Sequence, residues 1–153
     1  YDLYSRKMMG VCLRYVGDRE TARDLLQDGF IRVYTSLHTY TGAGALEGWI
    51  RMVFVNGALE YLRKRDILRD STDIANMYEV LEDRETALSN ISAEELMAVV
   101  QSLPDGFKAV FNLYAIEGYS HREIAGMLHI TESTSRSQYV RARKWLQERI
   151  ERY

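Results

Sequence analysis

The sequence has little cysteine and no long apolar run. Its single cysteine, Cys12, excludes a disulfide within the chain and has apolar neighbours, which predicts a buried thiol in a reducing compartment. No apolar stretch approaches the roughly 20 residues that cross a bilayer. No cationic start leads into a signal-type apolar segment. These absences predict a cytoplasmic protein without membrane insertion.

The sequence also lacks the residue patterns that most often mark catalysis. Its three histidines, His38, His121 and His129, do not pair with Cys12 or with carboxylates at metal-ligand spacing. No glycine-rich phosphate loop is present. We therefore expect no metal, no cofactor and no enzymatic activity.

Proline is almost absent, since Pro104 is the only one in 153 residues. Long stretches show helical rather than alternating apolar periodicity, which predicts an all-α fold without strands. Helices are expected over about 1–16, closed by Gly17, and over 19–37, 47–65 and 92–103. The next helix is expected to have Pro104 at its first position and to end at Gly118, and two more follow. On the second helix, the residues expected to face inward are Ala22, Leu25, Leu26, Gly29, Phe30, Val33 and Leu37.

The charge of the chain is unevenly distributed, although its net value is only -2. Residues 1–69 hold 11 basic and 8 acidic side chains, residues 70–103 hold 1 and 8, and residues 104–153 hold 8 and 6. Two mildly basic modules can face phosphate while an acidic connector stays off it. Residues 66 to 91 combine charge and scattered apolar positions with no proline or glycine, and Ser92 begins a new helix. We therefore expect a helical domain over 1–66, a linker over 67–91 that is either flexible or weakly helical, and a second helical domain over 92–153.

The segment from Gly118 to Lys144 has the outline of a helix-turn-helix. Ser120 and Glu123 have the capping-box spacing that begins a helix. Thr131 is a cap-type residue that can begin a second helix. On that second helix, the residues expected to face the first are Ser135, Tyr139, Ala142 and Leu146.

The other face of the second helix carries short polar side chains near its start and cations mostly later. Base edges in a major groove are read by such residues near the start of a recognition helix, and phosphates by less exactly placed cations. We expect base contacts from Ser133, Thr134, Arg136, Ser137, Gln138 and Arg141, and backbone contacts from His121, Arg122, Arg143 and Lys144. A solvated amphipathic helix would show the same charge and periodicity, but the caps and the turn favour a DNA reader.

Three features of the N-terminal half remain open from the residues alone. The second helix presents Ile31 among charged residues, which hints at a protein partner. The two glycines in the loop Thr39 to Leu46 permit close backbone approach. The cations Arg63 to Arg65 suit either a helix dipole or phosphate contact.

Several motifs occur in the order and spacing of one known family. They are Asp24 to Phe30, Glu47 to Arg51, Val55-Asn56, Glu60 to Lys64, Leu103-Pro104-Asp105 and Asn112 to Ala125. The chain resembles the extracytoplasmic-function sigma factors of bacterial RNA polymerase, in the sigma-70 family, and looks closest to Bacteroidetes-type members. The resemblance spans nearly the whole chain.

The resemblance implies a subunit that directs the polymerase core to promoters. The N-terminal domain would be sigma region 2, a three-helix bundle that reads and melts the minus-ten element. The C-terminal domain would be region 4, whose helix-turn-helix reads the minus-thirty-five element. An anti-sigma factor is an expected further partner.

The resemblance also gives roles to residues of the N-terminal half. The second helix would dock on the clamp coiled coil of the largest polymerase subunit through Asp24, Gln27, Asp28, Ile31 and Arg32. The loop Thr39 to Leu46 would capture a base flipped out of the minus-ten strand, with Tyr40 as a stacking candidate. The minus-ten contacts are then expected from Tyr40, Thr41, Gly42, Asn56, Arg63 and Lys64.

The chain departs from the family pattern at a few positions. His129 stands at a turn position where glycine is common, and histidine tolerates a left-handed conformation better than most residues. Ser135 replaces a frequent apolar residue and is expected to weaken the contact between the two helices. Ala43 and Ala45 replace polar loop residues. The alternative function is a stand-alone helix-turn-helix repressor or activator, which would bind an operator without polymerase.

Overall fold

The computed structural model of the chain describes residues 1–64 and 92–150, and its regular elements within those ranges are all helical. The described residues fall into two compact units, one in each range. This confirms the predicted all-α fold. The predicted linker over 67–91 lies outside the described residues. Within the described ranges, no helix combines the length and the apolar character that a membrane span requires.

The N-terminal unit is a bundle of three helices, each of which packs against the other two. They are α1 (Ser5–Val16), α2 (Arg19–Ser36) and α3 (Leu46–Lys64), with a 3₁₀ turn (Leu37–Thr39) after α2. The core is formed by Met8, Val11, Cys12, Tyr15, Ala22, Ile50, Phe54, Val55, Ala58, Leu59 and Leu62, all buried. Burial raises the pKa of the Cys12 thiol to about 12, so Cys12 is a protonated core residue at neutral pH, as its apolar neighbours predict.

A tight corner joins α1 to α2. Gly17 ends α1 in the left-handed conformation at φ 67°, and its N–H donates to the carbonyl of Leu13. Asp18 then caps α2 by accepting from the N–H groups of Glu20 and Thr21. Hydrogen bonds from Thr21 lower the pKa of Asp18. The predicted helix break at Gly17 is confirmed.

The end of α2 differs from the prediction. The helix stops at Ser36, and Leu37 begins the 3₁₀ turn with 48% of its surface exposed, so its predicted inward position is wrong. A 3₁₀ turn has about 3.0 residues per turn rather than 3.6. Tightening the chain therefore rotates Leu37 off the stripe that the α-helical period assigns to it.

Gly29 sets how closely α2 and α3 approach each other. A Cβ atom added at Gly29 would lie 2.1 Å from a ring carbon of Phe54, which is buried at 3% exposure. The Phe54 ring also meets Phe30 edge-on, with centroids 5.0 Å apart. The absence of a side chain at Gly29 therefore makes room for the aromatic core of this unit.

The C-terminal unit consists of four helices. They are α4 (Ala93–Gln101), α5 (Asp105–Phe111), α6 (His121–Leu128) and α7 (Glu132–Ile150), and a π-helical turn (Asn112–Ile116) continues α5. The long α7 packs against α4, α5 and α6. One apolar cluster comprises Val99, Val100, Leu103, Ala142 and Leu146, flanked by Phe107, Phe111, Trp145 and Ile150.

Of the predicted starts of α4 and α5, the first is confirmed and the second is wrong. Ser92 and Glu95 form the complete capping box that the sequence predicts for α4. Pro104 is the N-cap of α5 rather than its first helical residue. Its ψ of 142° is extended, and its carbonyl accepts from the N–H of Lys108 at 2.9 Å. The ring fixes only φ, so the sequence did not distinguish the two positions.

Candidate nucleic-acid interface

The turn between α6 and α7 has helix-turn-helix geometry. Ser120 and Glu123 form a complete capping box at the start of α6. His129 ends α6 in the left-handed conformation, at φ 56° and ψ 43°, and its N–H donates to the carbonyl of Ala125. Thr131 then accepts from the N–H of Thr134 at 3.0 Å, which caps α7. The two predicted caps and the predicted left-handed histidine are confirmed.

The first turns of α7 present a polar surface. Ser133 and Arg136 are exposed, while Thr134 and Ser137 are half-buried. Arg136 Nη1 lies 2.9 Å from Glu132 Oε1, one turn earlier on the same exposed face. Such exposed pairs contribute only about 0.3–0.5 kcal/mol, so the guanidinium can exchange this partner for another acceptor.

Farther along α7 and at the start of α6 lie the predicted phosphate contacts. Lys144 and Arg122 are exposed, and Arg143 is half-buried. Arg141, which the sequence predicts as a base contact instead, is also half-buried. The guanidinium of Arg143 lies 5.9 Å from the centroid of the Tyr139 ring. These cations are placed where the sequence expected accessible side chains, and their contacts to DNA stay predictions.

Gln138 is not on the exposed face of α7. Its side chain is buried at 2% exposure, so the prediction that it contacts a base edge from that face is wrong. Buried positions on α7 are Ser135, Gln138, Ala142 and Leu146, at steps of three, four and four. The sequence allowed a stripe through Tyr139 with equally good helical spacing, and Tyr139 is only half-buried.

A polar and aromatic cluster joins α6 to α7. His121 Nδ1 lies 2.8 Å from Ser135 Oγ, and Ser135 is fully buried. The His121 ring stacks on Tyr114, with centroids 4.2 Å apart and planes at 9°. Tyr139 packs against both rings. Ser135 cannot make the apolar contact that a larger apolar residue would make there. Its hydrogen bond to His121 links α6 and α7 instead.

The environment of His121 disfavours its charged form. Burial lowers the pKa of His121, the Arg136 guanidinium lowers it further, and Glu132 opposes the shift. His121 is therefore neutral at physiological pH. Its predicted contact to the DNA backbone would accordingly be a hydrogen bond rather than an ion pair.

The lowered pKa of His121 predicts a loss of stability in acid. The unfolded chain takes up a proton near the ordinary histidine pKa of about 6.5, before the folded chain does. The stabilisation is thus present above about pH 6.5 and is lost as pH falls through the lower folded pKa. In urea denaturation followed by Trp145 fluorescence, His121→Asn should flatten this dependence, whereas His38→Asn in the other unit should not. An unchanged pH profile for His121→Asn would contradict the assignment.

The outer face of α2 has the exposure that the sequence predicts. Asp24, Gln27, Asp28, Ile31 and Arg32 are all exposed, and Ile31 keeps 56% of its surface. Next to Ile31 a shallow groove runs between α1 and α2. It is lined by Met9, Leu13, Leu26, Phe30 and Tyr34 and edged by Arg6, Arg19 and Arg23.

The groove between α1 and α2 was not predicted from the sequence. Tyr34 is 85% exposed, although it is a large aromatic residue three positions after Ile31. That spacing continues the exposed apolar stripe of the helix, and it is the signal that would have found the groove.

Two cations predicted for different partners share one carboxylate. Arg32 Nη1 lies 2.7 Å from Glu60 Oε2, and Lys64 Nζ lies 3.2 Å from Glu60 Oε1. Hydrogen bonds from Arg32 and Lys64 lower the pKa of Glu60. Arg32, an expected polymerase contact, and Lys64, an expected DNA contact, therefore belong to one ion-pair network centred on Glu60.

The loop before α3 is closed on itself. Tyr40 donates its hydroxyl to the carbonyl of Gly44 at 2.6 Å, and its ring packs against Trp49 with centroids 5.7 Å apart. Gly42 and Gly44 both have φ 80°. Thr41 and Gly42 are exposed in this loop, as is Asn56 on α3, while Arg63 is half-buried. Their contacts to DNA also stay predictions.

Across residues 1–64 and 92–150, no three His, Cys, Asp or Glu side chains come together in a way that could hold a metal ion.

Comparison with known proteins assigns both units. The family model described as Sigma-70 region 2 matches residues 1–67, and the model described as Sigma-70, region 4 matches residues 93–146. An ECF RNA polymerase sigma-E factor of Haemophilus influenzae is 29% identical, with 97% of this chain and 84% of that protein covered. The ECF RNA polymerase sigma factor SigX of Bacillus subtilis is 28% identical, with 99% and 81% covered.

A solved structure has the same fold. It is that of the sigma factor RpoE in complex with the anti-sigma factor NepR from Bartonella quintana, at a TM-score of 0.60 and 19% identity. The likeness covers 97% of this chain and 92% of that one.

Two matched regions of one family, in the family's order, span most of the chain. The chain belongs to the sigma-70 family and is an extracytoplasmic-function sigma factor. It is therefore a promoter-directing transcription initiation factor. Sigma factors, as a family, are not enzymes.

Proposed function

We propose that this sigma factor grips promoter DNA at two places while it is bound to the polymerase core. The N-terminal unit, residues 1–66, reads and melts the minus-ten element. The C-terminal unit, residues 92–153, reads the minus-thirty-five element through α7. The observation that carries this proposal is the capped turn at His129, which leaves the polar first turns of α7 exposed.

The start of α7 has the chemistry of a major-groove reader. Ser133 and Arg136 lie within its first two turns, with Thr134 and Ser137 half-buried beside them. A bidentate arginine contact to guanine is the commonest specific contact in such grooves. The exposed ion pair of Arg136 with Glu132 is weak, so the guanidinium can turn from Glu132 to a base edge.

Replacing Arg136 with alanine is expected to lower affinity for the minus-thirty-five element about 5- to 100-fold, because one base contact contributes about 1–3 kcal/mol. The loss should fall on one base position. Lys144→Ala is the matched variant, since a phosphate contact weakens all sequences alike and reduces the salt dependence. Both effects are measured from the affinity of holoenzyme for promoter duplexes in which each base of the minus-thirty-five element is substituted in turn. If Arg136→Ala lowered the affinity equally for every sequence, Arg136 would not be a base-reading residue.

The polymerase core is the proposed partner of α2. An exposed face of carboxylates, an amide and one apolar residue suits a protein surface that offers cations around an apolar contact. The clamp coiled coil of the largest subunit is the proposed docking element, and the cytoplasm the proposed location. An anti-sigma factor is a further proposed partner, consistent with the structural neighbour that is bound to one. A closer kinship with Bacteroidetes-type members also stays a proposal.

A footprint with and without core polymerase tests this function. The proposal requires protection at both promoter elements when the chain and the core are combined. The chain alone should protect neither strongly, because we expect each small unit to bind its element weakly unless the core holds both units on the promoter. A stand-alone repressor would instead protect its operator without polymerase, and that pattern would overturn the proposal.

A further inference from the structure

One hydrogen bond closes the loop between the 3₁₀ turn and α3. The Tyr40 hydroxyl donates to the Gly44 carbonyl across four residues, at 2.6 Å. The Tyr40 N–H donates to the carbonyl of Leu37 at 3.1 Å, which ties the backbone of Tyr40 to the 3₁₀ turn after α2. The ring is half-buried against Trp49 of α3. Tyr40 therefore holds the far side of the loop to the helical framework.

The rest of the loop has little of its own to fix its shape. Gly42 and Gly44 both stand at φ 80°, and glycine has more backbone freedom than any other residue. The Thr41 hydroxyl accepts from the N–H of Ala43 at 3.4 Å, a long hydrogen bond. The bond from Tyr40 is thus the shortest one across the loop, and it fixes the direction of the Gly44 carbonyl.

The tip of the loop has no polar side chain. Residues 42–45 are glycine, alanine, glycine and alanine, and all four are exposed. A Cβ added at Gly42 or Gly44 would meet nothing within 4 Å, so the backbone there is open to an approaching molecule. The polar groups that this tip can offer are its peptide N–H and C=O groups. A base edge that reaches the tip would meet main chain.

We infer that Tyr40 is a positioning residue, whose hydroxyl holds the main chain of residues 42–44 in the arrangement that receives an unpaired base. This inference rests on the proposed minus-ten role of the loop. It differs from the stacking role expected from the sequence, since it assigns the work to the hydroxyl rather than to the ring. The ligand is an unpaired base of the minus-ten strand, read through peptide groups.

The size of the effect follows from the hydrogen bond. A neutral hydrogen bond contributes about 1 kcal/mol net, which corresponds to roughly fivefold in an equilibrium constant. Without it the glycine-rich loop must be ordered on binding, and ordering a loop lowers affinity further. Removing the hydroxyl is therefore expected to weaken capture of the base about 5- to 10-fold.

Tyr40→Phe tests the inference because it deletes the hydroxyl and keeps the ring. The experiment uses holoenzyme and single-stranded oligonucleotides that carry the minus-ten sequence of a promoter it transcribes, with each of the four bases at the captured position. We expect weaker binding of the preferred oligonucleotide and a smaller spread among the four bases. Core affinity should stay at the wild-type value, and the free energy of unfolding should fall by no more than the roughly 1 kcal/mol that one hydrogen bond contributes. Tyr34 is an 85% exposed tyrosine of α2, and Tyr34→Phe should change neither the affinity for the preferred oligonucleotide nor the spread among the four bases.

The possible outcomes distinguish the positioning role of Tyr40 from the proposed function of the chain. Wild-type affinity and wild-type base preference for Tyr40→Phe would overturn the positioning role and favour stacking by the ring. Uniform weakening that follows a loss of thermal stability would also overturn it, since that is a structural role only. Failure of wild-type holoenzyme to bind any of the four oligonucleotides would overturn the proposed function, and the inference with it.

Discussion

Replacing Gly29 with alanine is expected to destabilise the N-terminal unit by about 2 kcal/mol. The new Cβ would lie 2.1 Å from the Phe54 ring, and overpacking of a core costs roughly 1–3 kcal/mol or more. Alanine gains up to about 1 kcal/mol of helix propensity over glycine, which reduces the loss but does not cancel it. In a unit of this size, 2 kcal/mol lowers the unfolding temperature by roughly 10 °C.

The other helical glycines supply the control for this experiment. A Cβ added at Gly10 of α1 would meet nothing within 4 Å, so Gly10→Ala should leave stability unchanged or raise it. Trp49 lies in the N-terminal unit and Trp145 in the other, so a Trp145→Phe background lets fluorescence report the N-terminal unit alone. Gly29→Ala with the unfolding temperature of wild type would show that the Phe54 ring moves aside freely.

Reversing the charge of Asp28 is expected to weaken assembly with the polymerase core at least tenfold, about 1.4 kcal/mol. Asp28 lies at the centre of the exposed acidic face of α2, between Asp24 and Ile31. A cation there meets a partner surface that is complementary to a carboxylate, and like charges across an interface cost several kcal/mol. Within the chain, Asp28→Arg replaces the attraction between Asp28 and Arg32 with repulsion between two exposed cations, and each effect is worth a few tenths of a kcal/mol.

The matched control makes the same change of charge elsewhere. Glu148 is exposed on α7, and Glu148→Arg should assemble with the core as wild type does. Asp28→Asn should give an intermediate loss, because it removes the attraction without adding repulsion. Affinity is measured by titrating labelled chain with purified core, and far-ultraviolet circular dichroism checks the fold. Wild-type affinity for Asp28→Arg would place the docking face elsewhere.

Much of the fold could be predicted because its signals are local. Gly17, Asp18 and the two capping boxes act within four residues, and the structure has each of them where the sequence predicts it. His129 is a similar case, since tolerance of the left-handed conformation belongs to the residue itself. The division of charge along the chain is less informative, because its acidic block, residues 70–103, includes α4 of the C-terminal unit.

The errors come from choices that local signals leave open. Stripes through Gln138 and through Tyr139 both satisfy the helical period. Gln138 is buried, whereas Tyr139 is half-buried against the rings of Tyr114 and His121. Leu37 fits an α-helical stripe that the 3₁₀ turn interrupts. The aromatic contact behind Gly29 and the hydrogen bond from Tyr40 join residues whose proximity depends on packing, so neither could be read from spacing.

Run-off transcription tests the central claim most directly. Purified core polymerase is given a pool of templates with randomised upstream sequence, with and without this chain, and the transcripts are sequenced to identify the templates used. The account predicts transcripts that depend on the chain and that start downstream of two shared sequence elements. Asp28→Arg should abolish most of them, while Arg136→Ala should relax the upstream element alone. Transcription that the chain does not change, with or without these substitutions, would contradict the account.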